Sequence, residues 1–93
     1  MTSSMDTAVV NFTASWFGPS RSMIPILVEL AKKLPHVIFF KVDVEDLKTV
    51  TRDFNVEALP TFILLKQGNI VDKVVGAVKD ELKQKIILHT SKA

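Results

Sequence analysis

Apolar residues fall in two kinds of stretch: short β-branched or aromatic runs, and segments where they recur every three or four positions. The first pattern marks strands and the second helices. Residues 8–14, Ala-Val-Val-Asn-Phe-Thr-Ala, form a run broken only by Asn11 and predict a buried strand. Gly18-Pro19 then turns the chain, and a proline suits a first helical turn because the missing N–H would have no helical acceptor there. From about 20 to 34, Met23, Leu27, Leu30 and Leu34 recur at helical spacing, with Ile24 and Ala31 widening the stripe. Pro25 predicts a kink inside that helix, and Pro35 its end.

Residues 37–44 form a second apolar run. Its adjacent Phe39 and Phe40 point to opposite faces of a sheet, which predicts that both faces are at least partly covered. Asp43 is placed to cap a helix over about 45–54, whose Leu47, Val50 and Phe54 share one side. Ala58-Leu59-Pro60 leads into a strand over 61–66, Gln67-Gly68-Asn69 reads as a hairpin turn, and 70–75 is the return strand. Gly76 interrupts the pattern. A last helix over about 79–89 buries Leu82 and Ile86, with Asp80 and Glu81 at the positive end of its dipole. The order β-α-β-α-β-β-α predicts an α/β fold: a parallel, right-handed first unit, a hairpin antiparallel to it, and a four-stranded mixed sheet with helices on both faces.

No linker, repeat or low-complexity segment divides the 93 residues, so the expectation is a single domain, 1–93, with 1–7 a flexible N-terminal segment. Hydrophobic residues make up 47%, enough for a core, and charged residues 24%. Twelve basic and ten acidic residues are interspersed, for a net +2, which argues against nucleic acid or an anionic membrane as partner. No leader of basic then apolar residues is visible, and no apolar run reaches the ~20 residues a bilayer requires, so the expected setting is cytoplasmic. Cysteine is absent. His36 and His89 are isolated, so neither a metal site nor a cofactor is expected.

The chemistry turns on Trp16-Phe17-Gly18-Pro19-Ser20. With Phe-Thr-Ala-Ser-Trp before it, and Leu-Ala-Lys-Lys-Leu-Pro, Lys-Val-Asp-Val, Val-Glu-Ala-Leu-Pro-Thr-Phe and Asp-Lys-Val-Val-Gly-Ala after it, the chain resembles the thioredoxin family, in detail the plant h type. The likeness runs over about 8–89, in several blocks in the same order. It implies a thioredoxin-like fold and, for the family, protein-disulfide reduction by a Trp-Cys-Gly-Pro-Cys site.

The departures lie at the redox positions. Phe17 stands where the family has its attacking cysteine, and Ser20 where it has the resolving one. A serine hydroxyl without an adjacent base is no substitute for a thiolate. Asn11 replaces the buried aspartate that the resemblance makes a proton carrier, while Lys41 matches its lysine partner. Asn11 is expected to be a buried amide satisfied locally. Thioredoxins begin with a further strand and helix, and seven residues before Ala8 are too few for both, so the strand at 37–44 is expected to be an open edge.

The resemblance also implies that the bond before Pro60 is cis. Trp16, Phe17, Gly18, Pro19, Leu59, Pro60, Gly76 and Ala77 would then line a groove that receives a protein or peptide by strand addition. The reading is a redox-inactive protein-binding module without catalytic residues. Its rivals are an engineered or truncated cysteine-free variant of a plant h-type thioredoxin, a chaperone-like holdase, and a residual enzyme using Ser20. A homodimer through the edge at 37–44 is a further expectation.

Overall fold

The computed structural model describes residues 7–14, 16 and 18–90, apart from the side chains of Pro19 and Ser20. Elements follow as β1 (Thr7–Thr13), α1 (Gly18–Arg21), α2 (Ile24–Lys33), β2 (Ile38–Asp43), α3 (Lys48–Asp53), β3 (Thr61–Lys66), β4 (Asn69–Val75) and α4 (Lys79–Thr90). The four strands form one mixed sheet in the order β2-β1-β3-β4. β1 and β2 are parallel, with Val10 opposite Phe40; β1–β3 and β3–β4 are antiparallel. The expected flexible segment falls, but for Thr7, outside the described residues.

The pleat sorts side chains onto two faces. On one, Val9, Phe62, Leu64 and Val74 pack with Met23 and Leu30 from the α2 side and with Leu82 and Ile86 of α4. On the other, Val10, Phe12, Val42 and Ile63 pack with Phe54, Val56 and Leu59, and the Phe12 and Phe54 rings lie 5.5 Å apart. β1 and β3 are central and shielded on both sides, which is why their sequences read as nearly unbroken apolar runs.

Several local expectations are corrected. The helix expected over 20–34 is two helices, because Pro25 lies in the first turn of α2 rather than in the interior of a longer one. Ile24 and Ala31 are exposed; the buried stripe narrows to Met23 and Leu30, with Leu27 and Leu34 half-buried. Asp43 does not cap α3: its Oδ1 accepts the Glu45 N–H, 2.8 Å away, and its carbonyl accepts the N–H groups of Asp46 and Leu47, closing a turn before the helix. The hairpin turns on Gln67 and Gly68, both at positive φ (54° and 82°), and Asn69 already belongs to β4. Two successive left-handed residues match the twist of the flanking strands, and glycine holds one of those positions without strain.

The largest departure is at β2. Phe39 is half-buried, but Phe40 is 54% exposed and Ile38 47% exposed. An aromatic on each side of a strand requires a layer over each side only if that stretch of sheet is covered, and beneath Phe40 it is not.

Candidate functional site

The register gathers the candidate groove at one end of the sheet. Thr13, the last residue of β1, lies opposite Asp43, the last of β2, and Thr61, the first of β3, lies opposite Val75, the last of β4. Phe12 opposite Thr61 joins the two halves. The segments leaving that end carry Trp16 and Gly18, then Glu45, then Leu59-Pro60, then Gly76-Ala77. In open α/β sheets, the carboxyl end of the parallel strands is where ligands bind, because loops diverge there and leave a crevice.

The Leu59–Pro60 bond is cis, as expected. The Thr61 hydroxyl donates to the Ala58 carbonyl, and the Gly76 N–H donates to the Pro60 carbonyl at 2.7 Å. Those two bonds tie the 58–61 turn to the end of β4. Gly76 has φ 97°, a conformation that strains any residue with a side chain, so the bend bringing its N–H to Pro60 is specific to glycine. Pro60 is buried, Leu59 half-buried and Ala77 exposed.

Trp16 is 64% exposed, and its indole Nε1–H donates to Glu45 Oε1 at 3.0 Å. Glu45 was not anticipated. It lies 29 residues from Trp16, and no local pattern announces a partnership made by the loop after β2. The bond holds a large amphipathic ring at the surface by its polar edge. Phe17, a proposed groove residue and degenerate redox position, lies outside the described residues. Pro19 and Ser20 belong to α1, and nothing further is described of their side chains.

Asn11 corrects a further expectation. It is half-buried, and its Oδ1 has no hydrogen-bond partner. Lys41 is its cross-strand partner in the register yet is exposed, its ammonium unbonded to that oxygen. Asn11, Thr13, Arg21, Ile24, Leu27, Phe39 and Lys41 line a cleft of about 530 Å³ between α2 and the β2 margin. The only polar side chain of the apolar run 8–12 thus lines the cleft beside α2, on the sheet face opposite Phe40.

On the far side of the sheet the polar groups are paired. Asp72 of β4 accepts from His89 Nε2 at 2.9 Å and faces Lys85 Nζ at 3.0 Å. Hydrogen bonds from His89 and then Lys85 hold its carboxyl down at about 2. Lys85 also pairs with Glu81 one turn back on α4. These residues clamp α4 to β4, away from the groove end.

Among the described residues, no three histidine, cysteine or acidic side chains gather as metal ligands, and no helix is long and apolar enough to cross a membrane. With no cysteine anywhere in the sequence, the chain has no thiol to exchange. What the groove end offers is an exposed aromatic, a buried proline after a cis bond, and backbone bent by Gly76.

Comparison with known proteins agrees with this geometry. The profile of the family described as Thioredoxin matches residues 1–88. The chain is 59% identical over 85 residues to thioredoxin H-type 1 of Nicotiana tabacum, covering 91% of this chain and 68% of that one. Against the H-type thioredoxin of Ricinus communis the identity is 61% over 85 residues, covering 91% and 72%. Among solved structures, a poplar thioredoxin h superposes with a TM-score of 0.89 at 35% identity, covering 95% of this chain and 79% of that one. A thioredoxin of Nicotiana alata gives 0.87 at 46% identity, covering 94% and 75%. By sequence profile, by relatives and by fold, the chain belongs to the thioredoxin family, among homologues of the plant h type, and it carries no cysteine.

Proposed function

We propose that this domain binds an extended polypeptide segment at the groove end of its sheet and performs no thiol–disulfide exchange. The observation that supports the reading is the absence of cysteine from a chain that has an exposed Trp16, a cis bond before Pro60 and the Gly76 bend at one end of its sheet. A disulfide reductase needs a thiolate to attack and a second thiol to release the mixed disulfide. Phe17 and Ser20 supply neither, and Asn11 cannot carry a proton as a carboxyl would. A binder needs only shape, backbone groups and an aromatic anchor. Strand addition beside Leu59-Pro60 uses the backbone for affinity, with Trp16 and Phe17 selecting apolar side chains.

Two assays test it. Insulin reduction by the chain gives no turnover above the blank at any pH. Phe17→Cys combined with Ser20→Cys brings turnover up from zero, and adding Asn11→Asp raises it further; turnover by the unaltered chain ends the reading. Binding is followed by anisotropy of a labelled, cysteine-free unfolded polypeptide. Trp16→Ala weakens that binding about tenfold or more, as expected of a tryptophan anchor. Equal binding by the variant assigns the affinity to some other surface and removes the groove.

A further inference from the structure

We propose that two copies of this chain pair antiparallel through the outer edges of β2, in the single register that places Phe40 opposite Phe40 on a two-fold axis. The proposal is independent of the groove, which lies at the end of the sheet rather than along its edge.

Among the described residues, β2 has a strand on one side only. The parity of its backbone follows from one bond. The Val44 N–H donates to the Thr13 carbonyl at 3.0 Å, and Thr13 is the register partner of Asp43. In a parallel ladder, one residue bridges the two that flank its partner. Val44, Val42, Phe40 and Ile38 therefore turn their N–H and C=O groups toward β1. Val37, Phe39, Lys41 and Asp43 turn theirs outward. Two of these four are half-used: the Val37 N–H donates to the Leu34 carbonyl, and the Asp43 carbonyl accepts from Asp46 and Leu47. The edge thus presents a free acceptor at Val37, both groups at Phe39 and Lys41, and a free donor at Asp43.

That pattern is complementary to itself. An antiparallel copy must set outward residues against outward residues, so only registers shifted by two positions are open to it. With Phe40 on the axis, Phe39 lies opposite the second copy's Lys41 and exchanges both bonds with it, and the reverse pair does the same. Val37 lies opposite the second copy's Asp43, where the one free acceptor meets the one free donor. A shift that puts Lys41 on the axis sets like charges directly opposite and leaves Val37 without a partner. A shift the other way, with Phe39 on the axis, leaves Asp43 without one. One register uses every free group.

The side chains agree. On the poorly covered face, Phe40 meets Phe40 at a non-hydrogen-bonded position, where side chains are closest, and Ile38 meets the second copy's Val42. Phe40 and Ile38, the exposed apolar residues of this strand, are then covered together. On the opposite face, Phe39 faces the second copy's Lys41, a ring beside an ammonium stem. Nothing in the segment Val-Ile-Phe-Phe-Lys-Val-Asp blocks the approach: no proline, no bulge, and Lys41 as its one basic residue.

The chain's lack of cysteine makes the register directly readable, because one introduced thiol is the only thiol present. Light scattering of the full 93-residue chain across a concentration series gives a mass rising from 10.4 kDa toward twice that value. On mild oxidation, Phe40→Cys yields a covalent dimer, since the axis brings its two copies within disulfide range. Ile38→Cys yields at least tenfold less, because its two copies are separated along the strands. Phe40→Lys, at a position already exposed, stays monomeric with an unchanged circular dichroism spectrum. A wild-type chain that remains at monomer mass up to about 1 mM overturns the proposal. So does equal cross-linking by Ile38→Cys and Phe40→Cys, which does not depend on whether Phe40→Lys folds.

Discussion

Among the described residues the sheet has two outer strands, β2 and β4, and they are finished differently. β4 is tied down from its own side of the molecule: Asp72 is bonded to His89 and Lys85 of α4, Val74 is fully buried, and the β3–β4 ladder shifts register between Leu64 and Leu65. A bulge and charged side chains are common means of making an edge unattractive to another strand. β2 has no bulge and a run of apolar side chains, with Phe40 in solvent. Nearby Ile24 and Val28 of α2 are also exposed, and Asn11 holds an unpartnered oxygen. Both outer strands expose apolar side chains, Ile70, Val71 and Val75 on β4 and Ile38 and Phe40 on β2, but only β4 is shifted in register and bonded through a side chain to a helix.

The largest expected effect comes from the helix layers over the two margins. Leu82 of α4 is fully buried against the β1–β3–β4 side, and Leu82→Ala costs about 3 kcal/mol by loss of transfer energy plus a cavity. Ile24 of α2 is half exposed, and Ile24→Ala changes stability by less than about 1 kcal/mol. Urea denaturation of both variants measures the contrast. Equal losses would mean that α2 is packed as tightly as α4 and that the comparison fails.

A smaller effect is expected at the clamp, and its pH dependence has a definite sign. The Asp72 carboxyl is held at about 2, below the usual 3.8, by bonds from His89 and Lys85. A carboxylate depressed in the folded state contributes stability that is complete above the unfolded value and is lost as pH falls toward the folded one. Asp72→Asn removes about 1 kcal/mol at pH 6, discounting for partial solvent screening. The gap between wild type and variant closes between pH 4 and 2, followed by denaturation midpoints at fixed temperature. A gap that persists at pH 2 would assign the loss to packing rather than charge.

The legibility of the chain divides along the same line. The hairpin at Gln67-Gly68, the Leu82 and Ile86 stripe, and the apolar runs of β1 and β3 were readable because local pattern and burial agree there. The strand at 37–44 was readable as a strand, but alternation tells which face Phe40 takes and not whether anything lies on that face. The break between α1 and α2 was signalled by Pro25, whose preference for a first turn outweighed the continuous apolar stripe. At the groove, the family blocks carried Trp16, Leu59-Pro60 and Gly76-Ala77. The Trp16–Glu45 and Asp72–His89 bonds join residues 29 and 17 apart and left no trace in local sequence. Asn11 was legible as a lost carboxyl, but its unmet oxygen depends on where Lys41 points.

That oxygen gives the smallest and most discriminating prediction. A buried acceptor without a partner carries its desolvation penalty uncompensated, and replacing it with an apolar group of suitable shape is neutral or stabilising. Valine suits a central strand, where a β-branched side chain packs against its neighbours. Asn11→Val therefore leaves the fold intact and raises stability by about 0.5–1 kcal/mol, read as a higher urea midpoint with an unchanged slope. At the β4 margin the corresponding substitution, Asp72→Val, removes a satisfied carboxylate and leaves His89 and Lys85 without it, so it destabilises. Two polar-to-valine changes on outer and inner strands of one sheet then have opposite signs. If Asn11→Val proves destabilising, the Asn11 amide makes a stabilising interaction that its surroundings in β1 do not reveal, and the β2 margin is better finished than its exposed aromatic suggests.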